Sequence, residues 1–361
     1  MSDLHLGAGF FFEGKRNPLE DFHYDQELVD FLDYYSKGDY SSQEVELVIN
    51  GDFLDFLAVP YVKYFDDVYW REDASLEKLK IILNAHQEVF EAIKKFLSQK
   101  NKKITYVIGN HDAELSMAVV KEHFLNHLGN PENLDLIDLE DYTYCPIKNV
   151  VIEHGHNEEM ANSFTDESFI KDDDGKEYLI PPWGSYFVKR VVNRFKSERD
   201  HVNSVRPIKK FLINGLIYDT YFTTRFILAT VYYYVMVRFI YYFKIRKGKF
   251  DLFTFVKNEF DLFLKTDNEK YQRLLDSEDF NIQIVGHTHH PELTQFPNGK
   301  TFINTGTWTH MYQLDFGRDK DVKMLTYAKI DSLKTDKKTQ KLDVDLLVWT
   351  GPKNFPFYEF S

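Results

Sequence analysis

Eleven side chains suited to binding divalent cations stand in short polar clusters, most of them directly after an apolar run: Asp3, His5, Asp52, Asp55, Asn110, His111, Asp112, His154, His156, His287 and His289. Carboxylate, imidazole and amide oxygen together suit divalent Mn, Fe or Zn. The single cysteine, Cys145, excludes all-thiolate ligation and an intramolecular disulfide framework. Two ions could sit side by side if one carboxylate bridged them, and cations about 3.5–4 Å apart can grip phosphoryl oxygens and activate water for an in-line displacement. Taken singly, the residues say little, because a histidine at a strand end is ordinarily a hydrogen-bond partner. His86, His123, His127 and His201 read as helix-surface or core-edge histidines, and Asp25, Asp30 and Asp33 as a solvated helical face.

The clusters need elements that bring them together. Val45–Ile49 is an apolar run ending at Asn50-Gly51-Asp52, and Ile104–Ile108 ends at Gly109-Asn110. Val150–Ile152 runs into Glu153-His154-Gly155-His156, Ile282–Val285 into Gly286-His287-Thr288-His289, and Thr301–Asn304 into Thr305-Gly306. Between them, Ala74–Lys100 has apolar residues at helical spacing (Leu76, Leu79, Ile82, Leu83, Val89, Phe90, Ile93, Leu97), which predicts one long amphipathic helix. Strands alternating with helices predict an α/β layered architecture, in which polar loops at the strand ends assemble a site at one sheet edge. Two later β-like runs, 322–330 and 342–349, are candidates to complete a second sheet. Gly51, Gly109, Gly155 and Gly286 fit sharp turns beside such a site.

The blocks Asp3-Leu4-His5, Gly51-Asp52-Phe53-Leu54-Asp55, Gly109-Asn110-His111-Asp112, His154-Gly155 and Gly286-His287-Thr288-His289 resemble, in order and placement, the five signature blocks of the calcineurin-like metallophosphoesterase superfamily. The resemblance implies a four-layer α/β/β/α sandwich. It implies one metal held by Asp3, His5, Asp52 and His289, and a second by Asp52, Asn110, His154 and His287, with Asp52 bridging. It also puts the proton donor on His111, oriented by Asp112. Asp55 either orients a ligand from outside the coordination sphere or caps the following turn. A catalytically inactive scaffold of the same fold would be expected to lose a ligand or His111, and this sequence loses neither.

The chain has 361 residues and a net charge of −13, and its 43% hydrophobic and 16% aromatic content excludes a disordered chain. The charge is unevenly spread. Residues 183–249 carry 14 basic against three acidic side chains, a net of +11, which leaves −24 for the remainder. The same stretch holds 16 aromatics. It lies between the His154 and His287 blocks, where superfamily members such as UDP-diacylglucosamine pyrophosphohydrolase carry a helical cap. His156 departs from that relative, which has an aspartate after His-Gly. The division expected is a catalytic domain, 1–182 and 250–361, interrupted by a basic aromatic cap, 183–249.

Within the cap, Phe226–Phe243 is an 18-residue apolar run with one charge, Arg238, followed by Lys244, Arg246, Lys247 and Lys249. Arg238 and five tyrosines fit a membrane span poorly. Basic residues next to an apolar aromatic helix suit an anionic membrane surface. A cap buried against the acidic body is the plain alternative, and a nucleic-acid groove of Lys/Arg with aromatics ranks below both, since the pI near 5.5 opposes a basic binding surface. The sequence thus predicts a dinuclear phosphoesterase, cytoplasmic or peripheral on a membrane, acting on a phosphorylated and lipid-linked substrate. A soluble nuclease or nucleotide phosphodiesterase is the alternative. The abrupt start at Met1-Ser2-Asp3-Leu4-His5, a loop-like block with no strand before it and no secretory signal, predicts that apolar residues precede it in the complete protein.

Overall fold

The computed structural model describes residues 1–60, 67–129, 133–159, 161–206, 208–236, 271–314, 324–334, 340–352 and 357–359. Two sheets with parallel strands carry the polar blocks. In the first, β1 (Val45–Asn50), β2 (Lys102–Val107) and β3 (Ile137–Glu140) lie side by side, all parallel. The second places β4 (Thr143–Tyr144), β5 (Asn149–Glu153), β6 (Phe280–Val285), β7 (Glu292–Gln295) and β8 (Thr301–Asn304) in the order β7-β8-β6-β5-β4. Its three central strands, β8, β6 and β5, are parallel, and β7 and β4 close the edges antiparallel. Along β1, β5, β6 and β8 burial deepens toward the carboxyl end, so the loops that leave those ends start inside the protein.

Residues 1–6 extend alongside β1 without a strand of their own. Met1 N donates to Val48 O, Asn50 N to Met1 O, Asp3 N to Gly51 O and His5 N to Asp52 O, at 2.8–3.1 Å. The Asp3 carbonyl accepts from Thr307 Oγ1 (2.6 Å) and Trp308 N (3.1 Å) in the loop after β8. Asp3 and His5 are thereby held between the Asp52 loop and the loops of the second sheet.

The run at 342–349 and the described part of the run at 322–330, from residue 324, build a sheet of their own. They form a long antiparallel hairpin, β9 (Leu325–Lys334) and β10 (Gln340–Trp349), with β11 (Phe357–Glu359) paired to β10. One face of the hairpin (Ala328, Ile330, Val344, Leu346) packs on Val150, Ile152, Ile284 and Ile303 of the second sheet.

The main apolar core lies around α1 (Asp25–Tyr34), α2 (Glu72–Ala85), α3 (Gln87–Leu97) and α4 (Ala118–Leu128). The single helix expected over Ala74–Lys100 is broken at His86, whose backbone leaves the helical region (φ −114°, ψ 37°). The side chain explains the break. His86 is buried, with Nδ1 2.6 Å from Asp25 Oδ1 and Nε2 3.6 Å from Glu20 Oε1. These two carboxylates, against the opposing effect of burial, lift its pKa to about 9. Of the two readings, helix-surface or core-edge, His86 takes the second, buried against two carboxylates.

Residues 183–206 and 208–236 are mostly helical, with α5 (Trp183–Phe187), a π-helical turn (Val188–Val192), α6 (Asn193–Lys196), α7 (Ile208–Tyr218) and α8 (Thr220–Val235), and Val205–Arg206 pairs parallel with Tyr312–Gln313. Their small core is Val191, Val192, Phe195, Val202, Phe222 and Phe226. Asn193 Nδ2 donates to Leu57 O (2.7 Å), and Lys196 Nζ to Leu19 O (3.0 Å) and Asp21 Oδ1 (2.7 Å), which fastens this unit to the loop after Asp55 and to the N-terminal segment. Several of its cations are paired: Arg225 chelates Glu198 and Arg199 meets Asp219. Arg238, Lys244, Arg246, Lys247 and Lys249 lie outside the described residues. Among the described residues no helix is long and apolar enough to cross a membrane.

Candidate metal centre

Five sequence-distant segments meet at the carboxyl ends of the strands. Their side chains form three overlapping, largely buried clusters with ligand atoms within 4.8 Å of one another: Asp3, His5 and His289; Asp52, His154 and His287; and His5, Asp55 and His111. The first two coincide with most of the two ligand sets read from the sequence, and Asp52 lies between them, with Oδ2 3.2 Å from His154 Nε2 and 3.8 Å from His5 Nε2.

The backbone shows how local the specialisation is. Among the described residues eight non-glycine residues have positive φ, and five of them are Asp3, His5, Asp52, His287 and His289. That region is costly for side chains with a Cβ and persists where surrounding bonds enforce it. Here the bonds are visible: Asp3 accepts from His287 N at 3.0 Å, and Asp52 Oδ1 accepts from His111 N at 2.8 Å. Glycine is required beside them. A Cβ on Gly51 would collide with the His154 ring, and one on Gly109 with the Asp52 carboxylate.

Donor chemistry fits a cation. His154 Nδ1 lies 2.8 Å from the Asn50 carbonyl and donates to it, which leaves the Nε2 lone pair facing Asp52 Oδ2 with no hydrogen-bond partner. His5 Nε2 and His289 Nε2 face each other at 3.0 Å, and His289 Nε2 is 3.3 Å from Asp3 Oδ1. Asn110 is buried and its side-chain oxygen also has no partner. Lone pairs turned toward one another in a buried site call for a proton or a metal ion between them. Burial opposes the charged imidazole, but Asp52 and Asp3 lift His154 to about 10. Burial likewise opposes the Asp52 anion, and His154, His111 and His5 outweigh it and hold the carboxyl well below its usual range.

His111 and Asp112 need a correction. The carboxylate against His111 is Asp55, with Oδ1 3.0 Å from Nδ1, an ion-pair contact and not an aligned hydrogen bond. Asp55 Oδ2 also meets His5 Nδ1 at 3.1 Å, and Oδ1 accepts from Ala58 N at 2.9 Å. Asp55 therefore serves both roles left open for it, turn cap and orienting group. Asp55 and Asp52 overcome burial to raise His111 to about 9. Asp112, fully buried, accepts from Phe53 N (3.0 Å), Gly109 N (2.6 Å) and Tyr106 Oη (2.5 Å). It ties the Gly109–Asp112 loop to the Asp52 loop and acts on His111 only through its charge, less than Asp55 and Asp52 do.

Sequence reasoning missed Glu159 and Asn162, which reach His287 from the segment after His156. No spacing signal marks them. His156 is buried against Phe164 (ring centroids 4.8 Å apart, interplanar angle 13°), with neither ring nitrogen hydrogen-bonded. Burial, with His154 and His287 nearby, keeps it neutral. Compared with known proteins, the chain matches no family model and no curated protein.

Proposed function

We propose that the chain is a dinuclear metal-dependent phosphoesterase, a hydrolase of phosphoester or pyrophosphate bonds built on the α/β/β/α plan of the calcineurin-like metallophosphoesterases. The observation that carries the reading is the convergence of Asp3, His5, Asp52, His154, His287 and His289 into buried clusters joined at Asp52, with the free oxygen of Asn110 close in sequence to His111. Asp3, His5, Asp52 and His289 would hold one divalent ion, and Asp52, Asn110, His154 and His287 the other. Mn, Fe and Zn all suit these donors. Such a pair supplies an acidified water and neutralises charge on phosphoryl oxygens.

The remaining chemistry belongs to the chain. His111, about 16% exposed and with its pKa lifted to about 9, stands against the His5 ring (centroids 4.6 Å apart) at the edge of the candidate centre. It can give its proton to the leaving oxygen, and Asp55 stabilises the cation and orients the ring. Asp112 holds the two loops in register. The helices of 183–236 supply the cover that selects the substrate. Their outer face exposes Ile213, Leu216, Ile217, Tyr218, Tyr221, Leu228, Val231 and Tyr232, which supports an amphipathic, lipid-linked phosphorylated substrate met at an anionic membrane surface.

Two measurements test the proposal. Mn2+-dependent hydrolysis of bis(p-nitrophenyl) phosphate should be lost on chelation and in Asp52→Asn, and wild-type turnover in that variant would overturn the two-ion assignment. Flotation with vesicles containing phosphatidylglycerol should carry the full chain upward. Failure to float would remove the membrane part and leave the hydrolase intact.

A further inference from the structure

The centre's outer side is built from the segment that follows His154. Glu159 Oε2 lies 3.0 Å from His287 Nε2. Asn162 Nδ2 donates to the same carboxylate oxygen at 2.8 Å and lies 3.3 Å from His287 Nε2. Behind it, Gly184 N of α5 donates to Ala161 O at 2.7 Å, and a Cβ on Gly184 would overlap the Asn162 amide oxygen and the Ala161 carbonyl. A line of contacts therefore runs from the first helix of the 183–236 unit to a ring nitrogen of a candidate ligand.

A neutral imidazole carries its proton on one nitrogen and a lone pair on the other, and an acceptor beside one nitrogen draws the proton there. At Nε2 the charged acceptor Glu159 Oε2, at 3.0 Å, lies nearer than the amide donor Asn162 Nδ2, at 3.3 Å, whose N–H is already given to Glu159, so the ring proton is drawn to Nε2 and Nδ1 is the nitrogen left to share an ion with Asp52 and His154. His154 shows the same device reversed: the Asn50 carbonyl takes the Nδ1 proton and Nε2 faces Asp52. Outer partners of this kind are worth about 10–100-fold in metal affinity. Glu159 is 49% exposed, so water competes for it, and the lower end of that range applies.

We propose that Glu159 is a positioning residue for His287: it accepts the Nε2 proton, fixes the tautomer with Nδ1 free, and so sets the affinity of the Asp52–His154–His287 cluster for a divalent cation. Asn162 holds Glu159 in place, and the close approach of Gly184 holds Asn162. The inference rests on the metal-centre reading above, with a role for Glu159 that none of the five signature blocks assigns.

The first test needs no metal. Long-range 1H–15N spectra of the chelator-treated full chain, with the His287 ring assigned by its loss in His287→Asn, should show the Nε2–H tautomer in the wild type. Glu159→Ala should give a mixture. An Nδ1–H ring in the wild type, or an unchanged tautomer in Glu159→Ala, overturns the proposal. The second test is calorimetric titration with Mn2+. Glu159→Ala should weaken one class of site about tenfold and leave the other unchanged. Glu159→Gln, which keeps an acceptor oxygen, should recover most of the loss, and Glu158→Ala, an exposed neighbour, should match the wild type. Unchanged affinity in Glu159→Ala refutes the role. A wild-type chain that binds no Mn2+ refutes the metal-centre reading instead, and the metal-free spectra still decide the tautomer.

Discussion

Asp55→Asn and Asp112→Asn, taken together, test which carboxylate serves His111. Asp55 is 5% exposed and divides its oxygens among His111 Nδ1 (3.0 Å), His5 Nδ1 (3.1 Å) and Ala58 N (2.9 Å). An asparagine of the same shape keeps one acceptor oxygen, so it can retain the turn bond or one histidine, and it removes the charge. Loss of a partner that orients a reacting imidazole is worth about 10–100-fold, or ~1.4–2.7 kcal/mol of transition-state stabilisation. The charge also has a pH signature. Burial alone would lower the pKa of His111, and Asp55, with Asp52, raises it to about 9. An acid catalyst loses activity as pH rises through its pKa, so Asp55→Asn should move the alkaline limb of the Mn2+-dependent rate to lower pH. Asp112→Asn should behave differently. Its amide oxygen can keep the bonds from Phe53 N and Tyr106 Oη, but its NH2 would then face the Gly109 N–H, which costs about 1–3 kcal/mol of stability. Its alkaline limb should move less, because Asp112 adds less to the raised His111 pKa than Asp55 and Asp52 do. The assay is kcat against pH with chemical denaturation of each variant. A limb that moves in Asp112→Asn and stays fixed in Asp55→Asn would refute the assignment.

Two further outcomes concern stability. His86 has a folded pKa of about 9 against 6.5 unfolded, so its contribution is complete below pH 6.5 and disappears as pH rises to about 9. The difference in unfolding free energy between wild type and His86→Gln should therefore shrink by roughly 2–3 kcal/mol between pH 6 and pH 9.5; a constant difference would show that the contacts with Asp25 and Glu20 are not ionic. Lys78 and Glu114 form a buried pair at 2.8 Å, with Lys78 also 3.7 Å from the centroid of the Tyr69 ring. Lys78→Met leaves Glu114 buried alone and should cost about 3–5 kcal/mol in urea unfolding, and the double variant Lys78→Met/Glu114→Gln should recover much of it. A single variant no worse than the double would count against a coupled pair.

The residues of the candidate metal centre were legible because their signal is local. Gly51-Asp52, Gly109-Asn110-His111 and Gly286-His287-Thr288-His289 each follow a β-rich run, and a strand must end where its apolar residues stop. Chain order then hinted that the strand ends share one edge. Contacts between segments were not legible. Asp112 is the sequence neighbour of His111, yet Asp55, 56 residues earlier, is its partner, because only the packing of two loops sets which carboxylate faces which ring.

The same reason accounts for the other differences. Ala74–Lys100 keeps its helical periodicity across His86, so nothing local announces the break; carboxylates from the N-terminal segment and α1 draw the ring inward and interrupt the helix. The charge of 183–249 fixes an asymmetry but not its use. Lys196 and Asn193 turn out to be fasteners to the body, and Arg199 and Arg225 are paired within the unit. The amino-acid sequence by itself thus determined which donor atoms stand at the strand ends and what ions suit them. The tertiary structure alone decided how their lone pairs and protons are arranged, because that depends on distances of about 3 Å between residues far apart in the chain.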